Sequence, residues 1–344
     1  MAAAGYDVVL IARARPDADD IRVVTLPSPN SRFERVTRTA WAVYRSSADR
    51  QIKLCHFHDP ELIPVGLLLK LRGKRVVYDV HEDLPTQILN KDWVPSFVRR
   101  PVAALVAAAE FLAGHLVDAV VAATPTIAAR FPSTKTVTVC NYPILDEVAA
   151  SGDAVPYANR RSIVAYIGGI SEDRGIRQMV LAIGKVSGIS PELVLAGRFH
   201  PEGLESELAR SPGWDRVRKV GWLDRIEVAE LLARARIGLV TLLPLPNYVE
   251  AYPTKLFEYM SAGLPVIASD FPVWREIVTS AGCGLLVDPQ DPDAIARAIQ
   301  RLLDDPAQAE AMGKRGRDAV QMRFNWTTER DKLLSLYARL IGRP

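Results

Sequence analysis

The chain has 344 residues, which is enough for two hydrophobic cores of ordinary size. Hydrophobic residues make up 49% and charged residues 24%, the proportions of a folded globular chain and not of a disordered one. A net charge of +3, from 43 basic and 40 acidic residues, gives no electrostatic case for nucleic acid as the partner.

In chain order, short β-branched runs alternate with longer stretches of helical period. Asp7–Ala12 and Lys53–His58 read as strands, Leu62–Leu71 as a helix and Arg75–His81 as a strand. Alternation along Lys53–His58 puts His56 and His58 on one strand face. Phe97–Leu116 reads as a helix. The apolar stretch Pro101–Ala123 around it is interrupted by Glu110, His115 and Asp118, which predicts a buried amphipathic helix and not a membrane span. Ala119–Thr124 and Thr136–Tyr142 are further strands. This βαβ order predicts a parallel sheet.

Between Leu145 and Arg161 the pattern lapses into small and polar residues, which marks a domain boundary. Strands then follow at Ser162–Gly168, Pro191–Gly197, Val217–Trp222, Ile237–Leu242 and Pro265–Asp270. The helices between and after them fall at Ile176–Val186, Leu204–Arg210, Ile226–Ala235 and from Asp291 onward. Trp326–Ile341 is a last amphipathic helix. The expected organisation is an N-terminal domain over 1–150, a second doubly wound domain over 151–323, and a closing helix over 324–344 that packs back on the first. Cys55, Cys140 and Cys283 are far apart and fit no disulfide or Cys/His metal spacing, which points to a reducing cytoplasm. The N-terminus lacks the early basic region and long apolar run of a signal peptide.

The segment Glu250–Asp270, EAYPTKLFEYMSAGLPVIASD, carries the chemistry. Pro253 suits a helix start and Gly263 a helix end, so the helix is about Pro253–Ala262. Its N-terminus offers unpaired amides and the positive end of the helix dipole, a site for a pyrophosphate, and Lys255 adds a charge in the first turn. Glu250 lies before the helix and Glu258 inside it. A carboxylate bridges two neighbouring hydroxyls, so the pair can grip a sugar on one side and a ribose on the other. That is the outline of a nucleotide sugar.

The Glu pair with EYMSAGLPVIAS closely resembles the family 4 retaining glycosyltransferases of the GT-B fold. The resemblance extends in order through HFHDPEL (His56–Leu62), YDVHED (Tyr78–Asp83), VCNYP (Val139–Pro143), YIGGISEDRGI (Tyr166–Ile176) and FNW (Phe324–Trp326). It implies an α/β chain of two Rossmann-like doubly wound domains facing across a cleft. The family has a first strand, a Gly-containing loop and most of a helix ahead of MAAAGYDVVLIA. The first strand of the N-terminal domain is therefore expected to be missing here.

By resemblance, Glu258 binds the ribose. Glu250, with Ala251 and Tyr252, contacts the donor sugar, and Thr254 and Leu256 lie on the donor side with Lys255. Arg174 neutralises the diphosphate, and the Gly168-Gly169 turn lets backbone approach it. His81 reaches toward the donor sugar, and Gly197 and Arg198 lie near the base with Gly221–Leu223. Many family members carry an arginine where this chain has Gly169, which shifts weight onto Arg174 and Lys255.

The implied reaction is transfer from a nucleotide-diphosphate sugar, UDP or GDP foremost, to a glycan, glycolipid or small-molecule acceptor in cell-surface polysaccharide synthesis. It proceeds with retention, without a cofactor and without a metal. A lipid-linked acceptor would place the protein peripherally at the inner face of the membrane. Two other readings stay open: a non-catalytic nucleotide-sugar-binding protein, and another GT-B enzyme such as a sugar-nucleotide epimerase.

Overall fold

The computed structural model describes residues 1–13, 21–28, 31, 34–89, 94–145, 155–188 and 190–342. The chain divides into two compact units. Unit 1 comprises Met1–Cys140 with Glu329–Pro344, and unit 2 comprises Asn141–Thr328.

In unit 1, strands β1 (Val9–Ala12) and β2 (Arg22–Thr25) form a separate parallel pair. A second, four-stranded parallel sheet runs β3 (Leu54–Phe57), β4 (Arg75–Val80), β5 (Ala119–Ala122) and β6 (Thr136–Thr138), in that order. Helices α1 (Ala40–Ser47), α2 (Ile63–Leu71) and α3 (Ser96–Leu116) connect these strands. The core gathers Phe57, Leu69, Val76, Tyr78, Val120 and Phe131. β2 and α1 are not among the predicted elements. Arg22 and Thr25 leave β2 with only two apolar residues, too few to establish a period.

Phe97–Leu116 is helical as expected, but α3 is not a buried helix. Phe97, Leu105, Phe111 and Leu112 are all exposed on it. Its inner face carries small residues, with Ala103, Ala113 and Gly114 buried, and the buried Glu110, which accepts from Tyr78 Oη at 2.9 Å and Arg130 Nη2 at 2.6 Å. Gly114 lies so close to Phe131 that an added Cβ would sit 2.6 Å from that ring. Close approach by the small face leaves the large side chains pointing outward.

Unit 2 holds a six-stranded parallel sheet. β7 is Ile163–Ile167, β8 Glu192–Ala196, β9 Val217–Gly221, β10 Ile237–Val240, β11 Val266–Ser269 and β12 Gly284–Val287. They lie in the order β12-β11-β10-β7-β8-β9. From β7 the sheet grows first to one side and then to the other, the doubly wound arrangement, and the switch point lies between β7 and β10. The strands β7, β8, β10 and β11 are apolar almost throughout because both faces are covered, while the edge strand β9 exposes Arg218 and Lys219. Val164, Tyr166, Leu193 and Ile237 pack on one face, and Ile163, Ala165, Val194 and Val240 on the other.

Helices α4 (Ile176–Lys185), α5 (Arg225–Arg234), α6 (Thr254–Ser261), α7 (Pro272–Ala281), α8 (Pro292–Asp304) and α9 (Pro306–Met322) cover the sheet. The closing helix α10 (Trp326–Ile341) starts in unit 2 and continues into unit 1. The division at 140/141 and 328/329 differs from the expected 150/151 and 323/324. Local packing gives the reason. Tyr142 packs against Phe257 and Phe324 in unit 2, while within unit 1 the buried Glu329 carboxylate accepts the Cys140 N–H at 2.9 Å.

Candidate functional site

The switch point fixes the site. β7 ends at Ile167, and Gly168 follows with φ +122°, a conformation open to glycine. At the neighbouring strand end, Gly197 has φ +153°, and a Cβ there would lie 1.9 Å from the Gly168 carbonyl oxygen. The two glycines therefore let two backbone segments meet where ligands bind in such sheets. Gly175, with φ +73°, closes the loop after the short 3-10 turn Glu172–Arg174, and a Cβ there would strike Thr241 O.

Arg174 returns over this turn. A Cβ on Gly169 would come within 3.6 Å of its guanidinium carbon. The guanidinium thus borders the space that a side chain at position 169 would enter. Lys255 arrives from α6, and its Nζ would lie 3.4 Å from a Cβ on Gly168. It donates to Tyr166 Oη at 3.0 Å and sits 4.1 Å from that ring's centroid. Tyr166 Oη in turn donates to Gly169 O at 2.7 Å.

Lys255 is buried, and burial together with the nearby Arg174 charge lowers its ammonium to about 7. Burial likewise pushes Tyr166 up to about 12, so it stays a neutral partner. Two cations thus converge on a glycine turn, and one of them is out of water. This arrangement favours an anion.

Helix α6 starts at Thr254, one residue later than expected, with Pro253 as its N-cap. Thr254 and Lys255 fall in the first turn, where helix geometry leaves amides without intrahelical partners. Tyr259 holds the helix against β7 by accepting the Ile167 N–H at 2.9 Å. Arg317 binds the Ser261 and Ala262 carbonyls at the other end, satisfying the helix C-terminus. Leu256 is fully buried and anchors the helix in the core.

A cleft of about 460 Å³ lies along this helix within unit 2. Gly168, Gly197, Thr254 and Glu258 line it, and the spacing of four puts Thr254 and Glu258 on one helix face. Burial raises the Glu258 carboxyl, and the charges of Lys255 and Arg225 work against that rise. Glu250 is exposed just before the loop that leads to α6. The Ala251 N–H is already donated to Tyr248 O at 3.1 Å, and the Ala251 carbonyl accepts from Trp274 Nε1 at 2.7 Å, which fixes the loop. Tyr252 is half-buried and stacks near Phe257. His81 belongs to unit 1, where it is exposed beyond the end of β4.

Several lining residues carried no role in the sequence reading: Tyr142, Ile144, Arg225 and Trp326. Arg225 opens α5 behind a capping box in which Asp224 accepts the Glu227 amide at 2.9 Å. The D-x-x-E spacing was a readable signal for that helix start. Tyr142 and Trp326 lie in VCNYP and FNW, segments that marked the resemblance without an assigned task.

Two family models match the chain. "Glycosyltransferase Family 4" matches residues 1–138, and "Glycosyl transferases group 1" matches residues 154–319. The chain belongs to the family 4-type glycosyltransferases of the GT-B fold.

Among its relatives is the MMP alpha-(1->4)-mannosyltransferase of Mycolicibacterium hassiacum, 27% identical over 187 residues, or 54% of this chain and 44% of that protein. The glycogen synthase of Mycobacterium tuberculosis is 28% identical over 181 residues, or 50% of this chain and 42% of that protein. The matches thus span less than half the length of these curated relatives. The solved sucrose-phosphate synthase of Thermosynechococcus elongatus superposes with a TM-score of 0.77 at 26% identity, covering 100% of this chain and 91% of that one. The glycosyltransferase WaaG, involved in lipopolysaccharide biosynthesis, shares the fold with a TM-score of 0.69 at 14% identity, covering 99% of this chain and 93% of that one.

Proposed function

We propose that this protein is a retaining glycosyltransferase that takes a sugar from a nucleotide-diphosphate donor, with the diphosphate held by side chains and backbone and not by a metal. The paired cations Arg174 and Lys255 at the Gly168-Gly169 turn carry this reading. A bound diphosphate would add negative charge beside a buried lysine whose ammonium burial and Arg174 disfavour more than Glu258 and Asp173 support it.

In this reading the α6 amides and both cations stabilise the charge that builds on the departing diphosphate. Glu258 binds the ribose hydroxyls, and Gly197 leaves room for the base. Glu250 and the Tyr252 backbone face the sugar from the donor side. The HepE structures from Anabaena contain UDP and UDP-glucose, which makes UDP the first nucleotide to try. A glycan or lipid-linked acceptor in polysaccharide synthesis suits the family. No helix among the described residues is long and apolar enough to cross a membrane. The exposed apolar side of α3 supports peripheral contact with a lipid surface.

The test is a panel of UDP-, GDP- and dTDP-sugars assayed for hydrolysis and for transfer to simple sugar acceptors. Turnover of one nucleotide class, with the anomeric configuration kept in the product, is expected. Binding without any turnover across the panel would favour the non-catalytic reading, and an inverted product would remove the retaining one.

A further inference from the structure

We propose that His56, His58 and Asp79 form a binding site for a divalent transition-metal ion, zinc foremost, in unit 1. The proposal rests on residues of unit 1 and uses none of the residues that line the cleft of unit 2.

The sheet builds this site. His56 and His58 are two residues apart at the end of β3, so both side chains leave the same face. β3 and β4 are parallel neighbours with Phe57 opposite Tyr78, which brings Asp79 on β4 alongside the pair. One ligand atom from each residue lies within 4.8 Å of the others. Asp79 Oδ2 stands 3.0 Å from His56 Nε2 and 3.3 Å from His58 Nδ1. Donors bound to tetrahedral zinc at about 2.0–2.1 Å lie roughly 3.3 Å apart, so the two separations to the Asp79 carboxylate are already close to those required.

The donor set fits this class of ion. Two imidazoles and one carboxylate suit zinc and its neighbours better than magnesium or calcium, which prefer all-oxygen shells. Three protein ligands leave a fourth position for water or another ligand. The side chain of His58 is 62% exposed, which gives an ion a way in. His56 has the outer partner that metal-binding imidazoles usually have: its other nitrogen, Nδ1, meets Tyr337 Oη at 2.5 Å. Tyr337 lies on α10, in the part of that helix that belongs to unit 1. An ion would therefore join β3, β4 and, through Tyr337, the closing helix.

The experiment uses the full chain stripped of metal with a chelator that is then removed. Zinc is titrated against a chromophoric competitor, and cobalt(II) is added separately to read its visible absorption. One equivalent of zinc is expected, with a cobalt spectrum of low coordination number. His58→Gln and Asp79→Asn should each abolish saturable uptake, and Tyr337→Phe should weaken it by roughly tenfold or more. His115→Gln and His200→Gln should bind as the parent does. Circular dichroism on each variant separates lost binding from lost folding. No saturable uptake by the parent, or unchanged uptake in folded His58→Gln and Asp79→Asn, would overturn the site.

Discussion

Lys255 is the residue on which the proposed donor site turns. In the free protein its ammonium loses its proton near pH 7, because burial and Arg174 both disfavour the charge. A bound diphosphate reverses that preference, so nucleotide binding takes up a proton above this pH. The sign follows: affinity for UDP should fall as pH rises from 7 to 9, by up to about tenfold per unit. Calorimetry in buffers of different ionisation heat reads the proton uptake directly. Lys255→Met should bind weakly and lose the slope. A parent whose affinity stays flat across this window would remove the lysine from the diphosphate site. Without ligand the same variant should be more stable than the parent, most clearly below pH 7, where the buried charge is present and burial outweighs the support of Glu258 and Asp173.

Helix α6 holds Thr254, Lys255 and Glu258 in one frame, and its neighbours hold the helix. Trp274 on α7 is fully buried, and its indole N–H fixes the Ala251 carbonyl in the loop ahead of α6. Trp274→Ala should cost about 3–5 kcal/mol from the cavity, and the lost hydrogen bond should loosen the loop. Denaturant unfolding checks the first effect, and a fall in donor affinity under conditions where the protein stays folded checks the second.

At this scale much was legible from sequence. Pro253 and Gly263 bracket the helix to within a residue, because a residue without an N–H and one free to take positive φ punctuate chains locally. The strands β7, β8, β10 and β11 stand out for the same kind of reason: full burial makes them short apolar runs. The contacts made by tertiary packing were not legible. Tyr142, Arg225 and Trp326 reach one cleft from three distant segments, and Asp79 meets the His56–His58 pair only through strand register. The outward face of α3 was misread because apolar composition says how much surface wants cover, not which side receives it.

At the scale of the whole molecule, the two units carry different tasks in this reading. Unit 2 holds the donor cleft. Unit 1 presents α3, whose exposed Phe97, Leu105, Phe111 and Leu112 lie on the same helix as Arg99 and Arg100. Apolar side chains next to basic ones suit a surface of anionic lipid. The parent chain should sediment with vesicles containing phosphatidylglycerol and less so with neutral ones, and Leu105→Glu with Leu112→Glu should stay in solution. A parent that ignores both kinds of vesicle would leave α3 without a lipid role.

The donor cleft can be tried without knowing sugar, acceptor or linkage. The direct measurement is a calorimetric titration of the parent chain and of Glu258→Ala with UDP and with GDP. The parent should bind one nucleotide per chain and prefer one base. Glu258→Ala should lose about tenfold or more in affinity, because a carboxylate that accepts two ribose hydroxyls contributes on the order of 1.5–3 kcal/mol. Equal affinity in parent and variant, or no binding of either nucleotide by the parent, would contradict a nucleotide-sugar site built on α6.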